Sequence, residues 1–417
     1  MQELDLIIGA GITGISYASY TKNNYLVIEK ELEPGGYCRT IKRNGFVWDY
    51  SGHFFHFRYP EIRDYASKSI NPNNIVGIQK CTQIYYNKNY IDYPFQKNIH
   101  QLDKQELIDC LYDLFNRNDN GLYTSFKDMV IKKLGKSISD KFLIPYNEKL
   151  YACDLNELDV DAMGRFFPKA DIKDIIDNFK ANKNESYNGY FEYTKGGAEE
   201  YVNSLLAYVA KDKISYGEFL ISLDIDKKVA ITNKRSIKYD NLISTIPFIS
   251  LLEMSDIDYD RNIFSYNKVV VFNIGFDSKG GDRKNHWVYF PSKELCFYRI
   301  GYYDNIINSD RMSIYVELGF GKDSVLPHKN VLFEKVIKDL QGSGIISVNQ
   351  SVVDWECIIM DPAYVHVNKD TEIKVPLYKD ILAKKNVYSI GRYGGWKYCS
   401  IEDNIIEARN MAMKLAK

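Results

Sequence analysis

Residues 5–14 of the chain are DLIIGAGITG, a stretch that decides the fold. Its first four residues predict a buried strand, and a helical pattern over Ile15–Thr21 follows the glycines. A second apolar run, Tyr25–Ile28, ends at Glu29. The order strand, glycine turn, helix and strand is typical of units that bind dinucleotides, because the start of the helix favours anionic phosphates.

The three glycines of this stretch have separate tasks. Gly9 makes the tight turn, Gly11 lets backbone approach a pyrophosphate, and Gly14 permits close packing of helix on strand. Glu29 follows Gly9 by 20 residues, where a carboxylate accepts hydrogen bonds from ribose hydroxyls. An incidental glycine turn is the alternative, but the strand, the helix and the acid together favour a dinucleotide site.

The segment after Glu29 indicates which dinucleotide is bound. A Gly35-Gly36 pair stands six residues beyond the acid. This spacing resembles the extended FAD fingerprint of the amine-oxidase and sugar-mutase flavoproteins. Arg39 can add positive charge beside the pyrophosphate, although a turn with a surface arginine would look the same. The prediction is therefore an FAD-binding protein.

Composition excludes several classes of protein. The 417 residues exceed one ordinary domain, and 54 Lys and Arg against 55 Asp and Glu argue against a nucleic-acid partner. Seven scattered cysteines predict reduced thiols, with neither a disulfide framework nor a metal site. No apolar stretch approaches the ~20 residues of a membrane span. The opening residues MQELDLII do not form a signal peptide, so a cytoplasmic location is expected.

Three further segments carry a specific resemblance: Phe46–Phe55, Tyr93–Ile99 and Gly391–Tyr398. Together with the flavin fingerprint they resemble the UDP-galactopyranose mutase family, nearer to its eukaryotic-type branch. That family converts the pyranose ring of a nucleotide sugar to the furanose. The resemblance implies an FAD-dependent isomerase, an intramolecular transferase in which N5 of reduced flavin attacks C1 of the sugar. NAD(P)H is a possible reductant.

The resemblance also implies roles for individual residues. His53, Arg299 and Arg392 are the expected catalytic residues, with the arginines stabilising charge on the departing diphosphate. The expected cofactor-binding residues are Gly9, Gly11, Gly14, Glu29, Gly35, Gly36, Arg39, Gly52, Gly391, Asn404 and Ile405. The expected substrate-binding residues are Gln96, Asn147, Tyr151, Asn188, Tyr289, Arg299, Tyr364, Arg392 and Tyr398. Within this set, Asn147 and Tyr151 share a helical face and are expected to hold the base.

Two departures from the family pattern stand out. The family carries an arginine on a flap where this chain has Phe166, and Arg165 lies one position earlier. The start of the last helix, Glu402–Ile405, is also altered. Singly, each tyrosine could be a packing residue and each arginine a structural ion pair.

Two other functions remain open at this stage. An FAD-dependent oxidoreductase of the amine-oxidase or desaturase type shares the fingerprint but prefers an apolar tunnel. A non-catalytic nucleotide-sugar or flavin-binding protein needs the arginines but not His53 and Gly52. The sugar, the nucleotide and the oligomeric state are not fixed by the sequence.

The expected fold class is α/β: a discontinuous Rossmann-like FAD-binding domain with an inserted helical domain and an antiparallel sheet domain. The FAD-binding domain is predicted from residues 1–97, 186–247 and 380–417. The helical domain is predicted at 98–185, where apolar residues recur at spacings of three and four. The sheet domain is predicted at 248–379, where the strands alternate.

Overall fold

The structure is a computed structural model that describes residues 3–180 and 189–416. Its strands are, in chain order, β1 (Leu4–Ile8), β2 (Asn24–Glu29), β3 (Thr40–Arg43), β4 (Phe46–Asp49), β5 (Ile75–Gln79), β6 (Thr82–Tyr86), β7 (Asn89–Asp92), β8 (Tyr190–Thr194), β9 (Ile214–Tyr216), β10 (Leu220–Asp224), β11 (Val229–Thr232), β12 (Ser236–Lys238), β13 (Asn241–Ser244), β14 (Ser265–Phe276), β15 (Trp287–Tyr289), β16 (Arg299–Tyr302), β17 (Ser313–Gly321), β18 (Val352–Met360), β19 (Val365–His366) and β20 (Val387–Ser389). Its α-helices are α1 (Ile12–Tyr20), α2 (Pro60–Ser67), α3 (Lys104–Asn116), α4 (Phe126–Leu134), α5 (Lys136–Ile138), α6 (Ile144–Tyr151), α7 (Ile172–Asp177), α8 (Glu199–Leu206), α9 (Phe248–Met254), α10 (Tyr303–Ile307), α11 (Lys329–Gly342), α12 (Lys369–Ala383), α13 (Gly391–Gly394) and α14 (Ile401–Leu415).

A parallel sheet in the order β20-β13-β1-β2-β9 forms one half of the molecule. Its central strand β1 is buried from Asp5 to Ile8 and is apolar there apart from Asp5, as strands covered on both faces are. Ile7 of β1, Ile15 of α1 and Ile405 of α14 are all buried in one cluster. The strands come from well-separated parts of the chain, as the predicted discontinuous domain requires.

A second sheet runs in the order β18-β14-β17-β16-β15-β6-β7, with β19 paired to β14. Its neighbours are antiparallel except β15 and β6, which are parallel. Strands β6 and β7 were expected in the FAD-binding domain, but the structure pairs them with this sheet. The sheet is therefore mixed rather than purely antiparallel. The predicted domain boundaries themselves stay a prediction.

Helices α3 to α7 follow β7 and precede β8 along the chain. The Asp103 side chain caps α3 by accepting a hydrogen bond from the Glu106 N–H at 2.9 Å. The Ser125 hydroxyl oxygen caps α4 in the same way, by accepting a hydrogen bond from the Asp128 N–H at 3.1 Å. Such caps stabilise a helix by about 1 kcal/mol. Residues Ser139–Leu143 form a π-helical turn that joins α5 to α6. Among the described helices none is both long and apolar enough to cross a membrane.

The carboxyl ends of the parallel strands face the second sheet across a cleft. Gly9 follows β1, Glu29 ends β2, Thr245 follows β13 and Gly391 begins α13 just after β20. In open parallel sheets, ligands bind at this edge. The fold therefore places the glycine turn in the same cleft as one face of the second sheet.

Candidate active site

A cavity of about 1230 Å³ occupies this cleft. Ordinary small-molecule sites enclose about 300–1,000 Å³, so this one has room for more than a single small ligand. Fourteen of the residues expected from the sequence line it: Gly9, Gly11, Glu29, Gly35, Gly36, Arg39, Gly52, His53, Tyr289, Arg299, Tyr364, Arg392, Tyr398 and Asn404.

The glycine turn is shaped to receive an anion. Gly9 has φ +99°, and a Cβ on it would lie 2.5 Å from Thr245 Oγ1. A Cβ on Gly14 would lie 2.0 Å from the Gly9 carbonyl oxygen, so this glycine permits the close packing of α1 on β1. Gly11 caps α1 without a side-chain hydrogen bond, and a Cβ on it would meet no heavy atom within 4 Å. The space over Gly11 is open at a helix start that attracts phosphate.

Glu29 is fixed in the cavity wall. Its Oε2 accepts a hydrogen bond from the Ala10 N–H at 2.6 Å, and its Oε1 accepts one from the Glu31 N–H at 2.9 Å. The Gly35 N–H donates to the Ala10 carbonyl at 2.8 Å, which holds the second glycine turn against the first. A buried carboxylate beside the open turn suits a sugar hydroxyl, which donates hydrogen bonds.

Arg39 lies at the edge of this end of the cavity. Its Nε donates to the Gly36 carbonyl at 2.9 Å, and its Nη1 lies 3.3 Å from Glu33 Oε1. The guanidinium also lies 4.7 Å from the centre of the Tyr50 ring. The Arg39 guanidinium therefore pairs with a surface carboxylate, Glu33, while it also lines the cavity.

His53 also lines the cavity, next to Gly52. A Cβ on Gly52 would lie 2.4 Å from the hydroxyl oxygen of Tyr315, so only glycine fits there. The Nδ1 atom of His53 is buried and has no hydrogen-bond partner in the described part of the chain. Burial, followed by the positive charge of Arg392, lowers the pKa of His53 to about 4. The imidazole is neutral near pH 7.

Arg299 is held by an acid. Its Nε lies 2.5 Å from Oε2 of Glu317 and its Nη2 lies 2.8 Å from Oε1. The two residues face each other on β16 and β17. Glu317 also accepts a hydrogen bond from the Ser51 hydroxyl. The edge of the guanidinium that carries Nε and Nη2 is therefore already in use.

Arg392 has a different environment. Its guanidinium carbon lies 5.1 Å from the ring centre of Tyr364 and 4.7 Å from that of Tyr398. These rings stack 5.8 Å apart with an interplanar angle of 20°. Nη1 donates to the Cys399 carbonyl at 3.2 Å, and no carboxylate pairs with Arg392 within residues 3–180 and 189–416. Its positive charge is thus the uncompensated one in the cavity.

Asn404, in the last helix, forms hydrogen bonds to two segments that line the cavity. Its Oδ1 accepts a hydrogen bond from the Arg392 N–H at 2.8 Å and one from the Thr13 hydroxyl at 3.0 Å. Ser400 and Asp403 form a capping box at the start of α14. The altered start of the last helix therefore still forms a regular helix end in the wall of the cavity.

Tyr289 lines the cavity beside the helical segment. Its hydroxyl accepts a hydrogen bond from the Trp287 indole N–H at 2.8 Å. Its ring lies 5.2 Å from the ring of Tyr93 and 5.0 Å from that of Tyr146. Burial raises the pKa of Tyr289 to about 12, so its phenol stays protonated.

Six of the expected residues lie behind the cavity wall: Gly14, Gly391, Ile405, Gln96, Asn147 and Tyr151. Gly14 and Gly391 let backbone pack closely; a Cβ on Gly391 would lie 2.6 Å from Thr13 Oγ1. Ile405 is part of the core. Asn188 lies outside the described residues.

Three of the expected substrate-binding residues, Gln96, Asn147 and Tyr151, are buried, and the last two are the ones expected to hold the base. The Asn147 side-chain N–H donates to the Leu143 carbonyl at 2.7 Å, and the Gln96 amide donates to the Pro168 carbonyl. Their amide oxygens, Asn147 Oδ1 and Gln96 Oε1, are buried without a partner among the described residues. Tyr151 packs edge-on against Tyr364 with 5.9 Å between ring centres.

The flap position of the family pattern is also placed. Phe166 lines the main cavity and packs edge-on against Tyr398 with 4.6 Å between ring centres. Arg165 lies in a neighbouring cleft, where its Nη2 is 2.5 Å from Asp403 Oδ2 and 3.3 Å from Ser400 Oγ. The sequence left open whether Arg165 replaces the flap arginine; in this arrangement its charge is directed to α14.

Sequence reasoning missed several lining residues: Ser51, Thr245, Tyr298, Tyr315 and Glu317. Thr245 directly follows the strand Asn241–Ser244, so its place at a strand end was a usable signal. Glu317 had no such signal, because only the pairing of β16 with β17 brings it to Arg299.

Comparison with known proteins supports this architecture. A family model described as an NAD(P)-binding Rossmann-like domain matches residues 7–69. A solved structure of reduced UDP-galactopyranose mutase is similar over 100% of this chain and 95% of its own, at 23% identity and a TM-score of 0.91. A protein described as a protoporphyrinogen oxidase from Exiguobacterium sp. aligns over 100% and 99% at 14% identity and a TM-score of 0.79. Cyclohexylamine oxidase from Brevibacterium oxydans aligns over 99% and 98% at 11% identity and a TM-score of 0.68.

These similarities show a shared fold. The predicted α/β class with a Rossmann-like domain is confirmed, and the resemblance to UDP-galactopyranose mutase is confirmed at the level of the fold. The oxidases share that fold at lower TM-scores. The fold alone therefore does not distinguish a mutase from an oxidoreductase. The residues that line the cavity are the basis for that distinction.

Proposed function

We propose that the protein is an FAD-dependent isomerase that converts a nucleotide-diphospho-pyranose, such as UDP-galactopyranose, to its furanose form. The observation that carries the proposal is the uncompensated charge of Arg392 on the Tyr364 and Tyr398 rings, in the same cavity as the open glycine turn. A cation among hydroxyl-bearing rings suits a diphosphate and not an apolar substrate.

The cavity fits FAD by its own geometry. The space over Gly11 accepts a pyrophosphate at the start of α1, and Glu29 accepts ribose hydroxyls. Gly52 and His53 also line the cavity, where backbone without a side chain at Gly52 suits close approach of a flat ring system. When bound and reduced, FAD supplies the nucleophile for C1 of the sugar, and NAD(P)H is a candidate reductant.

The side chains then orient the substrate and stabilise charge. Breaking the bond between C1 and the diphosphate leaves negative charge on phosphate oxygens, and Arg392 stands ready to stabilise it. Arg299 contributes through its remaining nitrogen, Nη1, because Glu317 binds the other two. The neutral imidazole of His53 can accept or donate a hydrogen bond without adding charge.

The helical part offers acceptors for a base. Buried amide oxygens without partners are rare, and Asn147 Oδ1 and Gln96 Oε1 are two of them. A pyrimidine ring N–H would satisfy such an oxygen. Since neither residue lines the cavity, base binding to them requires neighbouring side chains to move.

The test uses purified protein reduced with dithionite. We expect a protein that is yellow before reduction and that, once reduced, converts a nucleotide sugar from a panel headed by UDP-galactose, with the furanose product followed by chromatography. Turnover should need reduced flavin but consume no stoichiometric NAD(P)H. A colourless protein that takes up no FAD, or no furanose from any sugar of the panel, contradicts the proposal.

The second candidate is an FAD-dependent oxidoreductase, which the shared fold with cyclohexylamine oxidase favours. Incubating the oxidised protein with substrate and an electron acceptor, without dithionite, separates the two. Net oxidation of the substrate, with one equivalent of electron acceptor consumed per product, identifies the oxidoreductase.

A further inference from the structure

Glu317 joins two parts of the cavity that are far apart in the chain. Its side chain is 2% exposed, and it binds Arg299 through both carboxylate oxygens. Its Oε1 also accepts a hydrogen bond from the hydroxyl of Ser51, which is two residues before His53. One buried carboxylate thus contacts both a substrate-facing arginine and the turn that carries His53.

The turn at Ser51 needs such a contact. Ser51 has φ +89°, a region that favours glycine and that other residues occupy at a cost. The Ser51 carbonyl accepts a hydrogen bond from the His53 N–H at 3.0 Å, so the conformation of Ser51 determines the position of the His53 backbone. The hydroxyl bond to Glu317 offsets the strain at this residue.

The pairing with Arg299 is equally directional. Two parallel hydrogen bonds fix the plane of a guanidinium, whereas a single bond lets it rotate. With Nε and Nη2 bound to Glu317, Nη1 is the nitrogen for which the described residues provide no partner. Glu317 therefore determines which atom of Arg299 is presented to the cavity.

We propose that Glu317 is a positioning residue that fixes Arg299 and the Ser51–His53 turn in one arrangement. The inference rests on the proposed function, because it concerns the diphosphate and cofactor ends of that cavity. It also assigns Ser51 a role, as the link between the two ends. Glu317 itself transfers no proton and binds no ligand in this scheme.

The decisive variant is Glu317→Gln, which keeps the size of the side chain and removes its charge. Removing a negative charge beside a diphosphate does not weaken the equilibrium binding of UDP, but loss of the two-point pair misplaces Arg299 in the transition state. We expect kcat per bound flavin to fall by about tenfold or more, the scale of a small misplacement. The Kd for UDP should rise by less than about threefold, since the cationic charge is kept.

The matched control is Glu356→Gln. Glu356, on β18, pairs with Arg43 of β3 at 3.0 Å and does not line the cavity. It reports what the loss of an exposed ion pair does to folding alone. Melting temperature and flavin occupancy are measured on the same preparations.

Ser51 supplies a second pair of variants in case Glu317→Gln does not fold. Ser51→Ala and Ser51→Gly both lose the hydroxyl, but only glycine relieves the strain at φ +89°. An equal loss of kcat in both variants supports the link through the hydroxyl. Recovery to the wild-type kcat in the glycine variant shows that strain alone was involved and overturns it.

The outcomes separate this inference from the function on which it rests. If the wild-type protein neither binds UDP nor forms a furanose, the proposed function fails. If the wild type is active and Glu317→Gln keeps kcat within threefold, or loses kcat and UDP affinity in the same proportion, the positioning role is overturned. A lower melting temperature with unchanged kcat per bound flavin overturns it as well.

Discussion

The guanidinium carbon of Arg392 lies 4.7 Å from the ring centre of Tyr398, with no carboxylate of the described chain paired to it. Arg299, in the same cavity, binds Glu317 through two nitrogens. The sequence analysis predicted the same role for both arginines. The structure gives them different electrostatic surroundings, and the difference decides which one an anionic ligand meets as a full charge.

Replacing Arg392 by Ala is therefore expected to have the larger effect on turnover. Loss of a charged donor facing developing negative charge costs roughly 2–4 kcal/mol of transition-state stabilisation. Lys should restore only part of it, because a point charge lacks the planar fork. Arg299→Ala is expected to lose less, and it leaves Glu317 as an unpaired charge that lowers the melting temperature.

Arg311→Ala provides the matched control for this comparison. Arg311 also stacks on a ring, 4.2 Å from the centre of Phe46, and its Nη2 donates to the Asn44 carbonyl at 2.9 Å, but it does not line the cavity. Steady-state turnover, flavin content and melting temperature are compared for the three variants. Turnover of Arg392→Ala within threefold of the Arg311→Ala control would remove Arg392 from the site.

Two glycines of the first turn predict opposite phenotypes. A Cβ on Gly11 meets nothing in the protein, so Gly11→Ala should keep the melting temperature of the cofactor-free protein but lose most of its FAD uptake. A Cβ on Gly14 lies 2.0 Å from the Gly9 carbonyl oxygen, so Gly14→Ala should unfold at a lower temperature, with a loss of about 1–3 kcal/mol. Flavin absorbance and thermal unfolding measure the two effects. Normal FAD uptake by Gly11→Ala would contradict a pyrophosphate position over this turn.

Local signals carried much of the fold. The strand, glycine turn and helix at residues 4–20 depend on neighbours within a few positions, and the sequence predicted these elements closely. The pairing of β6 with β15 was missed, because Thr82 meets Trp287 across two hundred residues of chain. A strand pattern shows which face is apolar but not which strand it joins.

The same limit applies inside the site. The spacing of Asn147 and Tyr151 correctly placed both on one helical face, and both are buried there. Periodicity identifies a face that is covered but does not say whether a ligand or the core covers it. Glu317 shows the converse, since its position opposite Arg299 follows only from the register of two strands.

Arg165 provides a test of the flap position. Its ion pair with Asp403 points it into the neighbouring cleft, so Arg165→Ala should keep turnover within about threefold, the scale of an exposed ion pair. Phe166→Ala removes the ring that packs on Tyr398 in the cavity wall and should raise KM with a smaller effect on kcat. Steady-state kinetics at several substrate concentrations separate the two parameters. A tenfold or larger loss of turnover in Arg165→Ala would instead make this residue the flap arginine.

Acid sensitivity of the fold is expected from a histidine outside the cavity. His366 is buried, with Nε2 2.9 Å from the Tyr151 carbonyl oxygen and Nδ1 3.1 Å from Ser265 Oγ. Burial lowers the pKa of His366 to about 4, whereas in the unfolded chain a histidine has a pKa near 6.5. The unfolded state therefore binds more protons between these values, and the contribution of His366 to the free energy of unfolding is complete above pH ~6.5 and is lost as the pH falls toward 4. The loss amounts to about 1.4 kcal/mol per pH unit for one such group.

Denaturant unfolding of the wild type and His366→Gln from pH 7 to 4.5 should show a steeper decline of the free energy of unfolding in the wild type. Parallel declines would show that His366 is protonated in the folded protein.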